Sequence, residues 1–183
     1  MKIKSITLQN FKGCKSATYT FDGKNVTVCG ANGSGKTTIF DAFTWLLFGK
    51  DSLDNAKFEI RPLDKDGKQI DNVEICVDAT LDIDGKEVEL KKTQRQNWVK
   101  KRGTQHPVLQ GNVNEYEIDG YPRSAKDYEE YINGIVSDDL FKMLTNPTYF
   151  PNMPWKEQRA TIMKFASDVS DVELATEDSR FAE

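Results

Sequence analysis

Cysteine is scarce and unpatterned. The three residues Cys14, Cys29 and Cys76 are an odd number with no CxxC spacing, which argues against a disulfide framework or a zinc site and fits a reducing compartment. Histidine is rarer still: His106 stands alone beside Pro107 in a polar stretch, where a loop role without catalysis is expected. No apolar run approaches a membrane span, the longest cluster lying around residues 44–48. The opening Met-Lys-Ile-Lys has no apolar core of a signal peptide. The expectation is a soluble, cytoplasmic protein that engages no membrane. Positive charge is also in deficit. The net charge of −4 over 183 residues makes the chain as a whole a poor match to a polyanion, so any nucleic-acid contact requires a local basic patch. Repeats and low-complexity stretches are absent. Apolar residues at 38% and charged residues at 30% describe a globular chain long enough to bury a core.

What is present has clear periodicity. Residues 2–11 alternate, with Ile6 and Leu8 on one parity, which predicts a strand. A second short strand is expected over 17–21, ending at the turn pair Asp22-Gly23. Residues 25–29 read as a short apolar β run. From 36 to 48, Ile39, Phe40, Ala42, Phe43, Leu46, Leu47 and Phe48 cover most of a helical circumference, which predicts a buried helix that Gly49 stops. Val73, Ile75, Val77, Ala79, Leu81 and Ile83 alternate up to Asp84-Gly85, and Val88 and Leu90 follow. This is a hairpin signal. Asp119-Gly120 marks another, between 112–118 and Tyr121, so the stretch 58–121 reads as a largely antiparallel sheet. The last third reads as helical. Ser124, Ser137 and Ser170 are expected N-caps, Ser170 with Glu173 in a capping box. Trp155, Ile162, Met163 and Ala166 share one helical face after Pro154.

Residues 30–37 read GANGSGKT and match G-x4-G-K-[ST] in full. At ordinary residue frequencies a chance match in a chain this long is on the order of one per cent or less. The predicted context, apolar strand before and helix after, is the one a phosphate-binding loop needs. Glycines let successive backbone N–H groups turn inward, and with the helix N-terminus they form an anion cradle. Lys36 is expected on the β- and γ-phosphates, and the Thr37 hydroxyl on Mg²⁺. The cofactors this predicts are ATP and Mg²⁺.

The run GANGSGKTTIFDAFTWLLFG, the opening KIKSITLQNFKG and the segment LTNPTYFPNMPWKEQRATIMKFA together resemble the N-terminal lobe of the SMC-like ABC ATPases, a family that includes SMC, SbcC and RecN proteins and phage versions. The resemblance is sharp over 1–50, fair over 135–167 and architectural between. It implies an α/β P-loop NTPase of the ABC/SMC head type, with an antiparallel β-subdomain and C-terminal helices. As a single lobe, 1–183 would divide into a P-loop core (1–56), an antiparallel β region (57–122) and a helical region leading toward a coiled coil (123–183). Carried over residue by residue, it places Gly30, Asn32, Gly33, Ser34, Gly35, Lys36, Thr37 and Thr38 on the nucleotide and its metal, and Lys12 and Gly13 in a turn that approaches it. Asn146 is a candidate for the metal-side Q-loop position, and Arg61 for an arginine facing the arm. The implied partners are a C-terminal ATPase lobe, a second head in a homodimer, DNA, and a nuclease partner. The implied work is DNA repair, recombination or chromosome or phage DNA processing.

The chain departs from the full pattern. It has no apolar strand followed by Asp-Glu and no Ser-Gly-Gly loop, so the catalytic residue is unknown and hydrolysis is expected to need the other lobe. Lys91, Lys92, Arg95, Lys100, Lys101 and Arg102 lie within twelve residues around Trp98, either as a phosphate-binding strip or as a solvated hairpin edge. Lys100, Lys101 and Arg102 are its DNA-contact candidates. Three rivals remain open: a non-catalytic nucleotide-binding module, a P-loop kinase of small molecules, and a GTPase. The last draws on Asp64-x-x-Gly67 and Asp82-x-x-Gly85 but lacks an Asn-Lys-x-Asp guanine reader.

Overall fold

The structure, a computed structural model, describes residues 1–100 and 106–165. Its main layer is a six-stranded sheet in the order β2-β1-β3-β4-β5-β6, every pair antiparallel. The strands are β1 (Lys2–Phe11), β2 (Cys14–Thr20), β3 (Ile75–Ile83), β4 (Lys86–Val99), β5 (Val108–Ile118) and β6 (Tyr121–Arg123). Asp84-Gly85 and Asp119-Gly120 both take left-handed φ values, 53 and 86°, then 52 and 75°. Paired left-handed residues match the twist of two-residue hairpins, and the turns sit where the sequence puts them. The strand expected at 17–21 begins earlier, at Cys14.

Period-two alternation sends Ile6, Leu8, Val77, Ala79, Leu81, Val88 and Leu90 to one face, where each is at most 2% exposed. Helix α1 (Lys36–Phe48) packs on that face. It is buried from Asp41 to Leu47, as its nearly all-round apolar sequence requires. Phe11 meets Trp45 at 5.6 Å between ring centroids. Truncating Leu46, which is fully buried, would cost about 2–5 kcal/mol. Helix α2 (Ala125–Ile135) is capped by Ser124, whose hydroxyl accepts from the Asp127 N–H at 3.1 Å. It buries Tyr128 and Ile132 in the same core.

The stretch 58–121 is largely antiparallel sheet, from Ile75 onward. Residues 58–74 form loops with one isolated bridge, Leu63 to Gln69, around a turn in which the Asp64 carboxylate accepts from Asp66 and Lys68 N–H groups at 2.9 Å each. Strands β1 and β2 belong to the same sheet as β3 to β6.

The chain divides into two compact units, residues 1–136 and 137–183. The second holds α3 (Asp138–Thr145), capped by Ser137 on the Leu140 N–H, then α4 (Tyr149–Asn152) and α5 (Trp155–Phe165). On α5, Trp155, Ile162 and Met163 are exposed. Ala166, Ser170 and Glu173 lie outside the described residues. Among the described residues no helix is long and apolar enough to cross a membrane.

Lys92 is the unusual core residue, 4% exposed. Burial pulls its ammonium down from 10.5 to about 7. Below about pH 7 it is charged in the folded and unfolded chain alike, and the penalty is constant. Between 7 and 10.5 the unfolded chain holds a proton the folded chain lacks, so stability rises with pH. The expected slope is at most about 1.4 kcal/mol per pH unit, and Lys92→Met should abolish it. Urea midpoints of both proteins across this range check the sign. Parallel pH curves would refute it.

Candidate nucleotide-binding site

Residues 30–35 form an exposed loop ahead of α1, whose first two residues are Lys36 and Thr37. Its hydrogen bonds are its own: Ser34 N–H to Ala31 carbonyl at 3.2 Å and Thr38 N–H to Gly35 carbonyl at 3.1 Å. Lys36 folds back over the loop, its ammonium donating to the Gly30 and Ala31 carbonyls at 2.8 and 2.7 Å. Gly33 and Gly35 have φ of 80 and 88°, a region that side-chain-bearing residues resist. Gly35 is the N-cap of α1, and no side chain caps it, whereas serines cap α2 and α3. An uncapped helix start turns donor groups and the positive end of the dipole outward, as a bound anion needs. Asn32, Ser34 and Thr37 are exposed around it and Thr38 is half-buried. The residues present therefore fit a phosphate, with Thr37 available to a metal ion.

The turn between β1 and β2 holds Lys12, whose φ is 52° and whose N–H donates to the Ile60 carbonyl at 2.7 Å. Its ammonium meets the Asp41 carboxylate at 2.6 Å and lies 5.2 Å from the centre of the Phe58 ring. Asp41 is 4% exposed and also accepts from the Ser52 N–H at 2.9 Å. Sequence reasoning missed Asp41, although it is the only acidic residue in α1. It ties the Lys12–Gly13 turn and the chain after the helix to α1, five residues beyond Lys36.

The other candidates separate. Residues 25–29 are not a strand: no strand among the described residues pairs with them, and Val26 and Val28 are 53% and 45% exposed. The basic strip is dispersed by strand alternation. Lys91 pairs with Glu117 at 3.1 Å and Arg95 with Glu115, both across β4–β5, while Lys92 points into the core. Lys101 and Arg102 lie outside the described residues, next to Lys100. Arg61 faces no arm. It is 3% exposed and donates to the Val73 carbonyl at 3.1 Å and Asn112 Oδ1 at 3.4 Å, pinning the 58–74 loops to β5. Asn146, in the second unit, ends α3, and its Oδ1 accepts from the Thr148 N–H and hydroxyl at 3.0 and 2.8 Å. His106 is exposed. Asp64 and Asp82 both hold their own turns, Asp82 accepting from the Gly85 N–H at 2.8 Å, which removes the observation behind the GTPase rival.

Comparisons with known proteins cover most of the chain. The AAA domain family matches residues 5–177. The SbcC component of the SbcCD nuclease of Treponema pallidum is 45% identical over 53 residues, 27% of this chain and 5% of that protein. The chromosome partition protein Smc of Halobacteriovorax marinus is 29% identical over 136 residues, 71% of this chain and 11% of that protein. The matched stretches are thus small parts of those relatives. A solved chain from work on ATP-driven dimerization and DNA-stimulated activation of SMC ATPases matches with a TM-score of 0.64 at 19% identity. The match covers 91% of this chain and all of that one, a likeness of fold.

Proposed function

Because the chain belongs to the AAA domain family, as the N-terminal lobe of an SMC-like ABC ATPase, we propose that it binds Mg-ATP and contributes half of an ATPase site that works on DNA. The observation that carries the reading is the uncapped start of α1 behind a complete phosphate loop. Successive N–H groups would take the phosphate oxygens, Lys36 would exchange its two carbonyl acceptors for phosphate, and the Thr37 hydroxyl would face the metal. Bound Mg²⁺ would neutralise charge developing on the transferred group. Lys12 and Gly13 would line the approach, with Lys12 held by Asp41.

The exposed, unpaired run 25–29 supports the need for a second lobe. An apolar extended segment leading into the loop is one strand short of a sheet, and a C-terminal lobe could supply it. In this reading ATP is held between two such heads, and a nuclease partner and a role in repair or chromosome maintenance belong to the complete protein. Calorimetric titration of ATP into the chain, with Mg²⁺ and with a chelator, tests the binding. Absence of heat and of competition with a fluorescent ATP analogue would end the reading.

DNA contact is proposed at Lys100, Lys101 and Arg102 alone, since Lys91 and Arg95 already have carboxylate partners. Neutralising the three in the assembled head should weaken DNA binding and reduce the salt slope by up to about three. An unchanged slope in a salt titration would return these residues to ordinary solvated charges.

A further inference from the structure

Among the described residues, the phosphate loop is bonded to itself and to the first turn of α1. Its position against the sheet is therefore set by how α1 is held. At the far end of that 13-residue helix stands a clamp made by neighbouring elements. Lys92, from β4, donates to the Trp45 carbonyl at 2.8 Å. Its ammonium lies 4.4 Å from the centre of the Trp45 ring and 5.4 Å from that of Tyr116. Tyr128, from α2, donates to the Leu46 carbonyl at 3.2 Å and packs on Tyr116 at 4.9 Å. Gly49 closes the helix with φ of 75°, and its N–H shares the Trp45 carbonyl at 2.9 Å. A Cβ at Gly49 would lie 3.3 Å from the Lys92 ammonium, so the absent side chain leaves the space in which that ammonium sits.

We infer that Lys92 is a positioning residue for the phosphate loop: its ammonium fixes the carboxyl end of α1, so that the amino end presents the loop to the nucleotide in a constant place. The inference rests on the nucleotide-binding reading above. A cation belongs at that end, where unsatisfied carbonyls and the helix dipole gather negative charge, and ring faces add to the attraction. The titratable group recorded against it is Tyr116, on whose ring Tyr128 packs. Lys50, next along the chain, pairs with Asp54 at 2.9 Å, and Asp41, one turn back along the helix, pairs with Lys12. Lys91, the neighbour on β4, points to the opposite face and pairs with Glu117. Among the described residues no carboxylate offsets the charge of Lys92, and burial lowers its affinity for a proton, to a pKa of about 7. The strength of the clamp thus changes within the pH range where the protein can be studied.

The test compares Mg-ATP affinity of the whole chain, Lys92→Met and Lys91→Met by calorimetry at about pH 6 and about pH 9. At each pH the ionisation of ATP itself is common to all three and cancels in the ratio. Lys92→Met is nearly the same volume, and its fold is checked by melting. Losing one charge at a helix end should weaken binding about fivefold at pH 6, where Lys92 is charged. The ratio should fall close to one at pH 9, where Lys92 is neutral. Lys91→Met should match the unaltered chain at both. An equal ratio at the two pH values would reduce Lys92 to packing and overturn the inference, as would no loss at pH 6. If the unaltered chain binds no Mg-ATP at either pH, the nucleotide reading itself falls, and the inference falls with it.

Discussion

Lys36→Ala is expected to weaken Mg-ATP binding about a hundredfold. In the structure the ammonium is already poised over the loop, held by two carbonyls and no carboxylate. Phosphate oxygens would replace neutral acceptors by charged ones, and charge-assisted bonds are about twice as strong. Removing the side chain loses those bonds and leaves the loop carbonyls facing the incoming anion without an intervening cation. The rest of the cradle is backbone and survives, so some binding should remain. Calorimetry on both proteins measures the ratio. Equal affinities would mean that the loop is a glycine-rich turn and nothing more.

The second expectation concerns turnover. The isolated chain should bind ATP yet hydrolyse it negligibly, and adding the C-terminal lobe should restore the rate by roughly three orders of magnitude or more. Hydrolysis needs a group to orient water and donors aimed at the γ-phosphate. Near the loop the carboxylate to consider is Asp41, and it is buried and occupied by Lys12 and the Ser52 N–H. Restored turnover should depend on protein concentration, because two heads would share each site. Phosphate release is measured for the chain alone, with the added lobe, and with Lys36→Ala. Robust release by the chain alone, lost in Lys36→Ala, would sink the half-site reading. Asp78 and Asp82 would then be tried first, although burial pushes the Asp78 carboxyl up and Asp82 is engaged in its turn.

Local signals were legible wherever the answer was local. Strand β1 and helix α1 fall where alternation and apolar wrapping put them, and the loop is a motif with a mechanism. Residues 25–29 were misread because a strand is a pairing, and β-branched residues state a preference that only a neighbour can realise. Lys91, Lys92 and Arg95 separate for a reason the sequence did contain. In a strand, Lys91 and Lys92 point to opposite faces, so counting charges along the chain merged a solvent-facing pair with a core residue. Arg61 and Asp41 were hidden differently. Their partners, Val73, Asn112, Lys12 and Ser52, are eleven or more residues away, and no spacing rule spans such distances. Lys92 had a faint signal, a lysine on the parity of Val88 and Leu90, but its acceptor is a carbonyl on another element.

The exposed run at 25–29 has a consequence for how the protein must be handled. Its N–H and carbonyl groups, flanked by Val26 and Val28, can be satisfied by any extended segment with matching reach, including the same run in another molecule. If a C-terminal lobe supplies the missing strand as proposed, docking and self-association would compete for one set of backbone groups. The first would be favoured by a tethered or abundant partner, while the second would rise with the square of concentration. Purification at high concentration without that lobe would then select for self-association, and co-expression for docking.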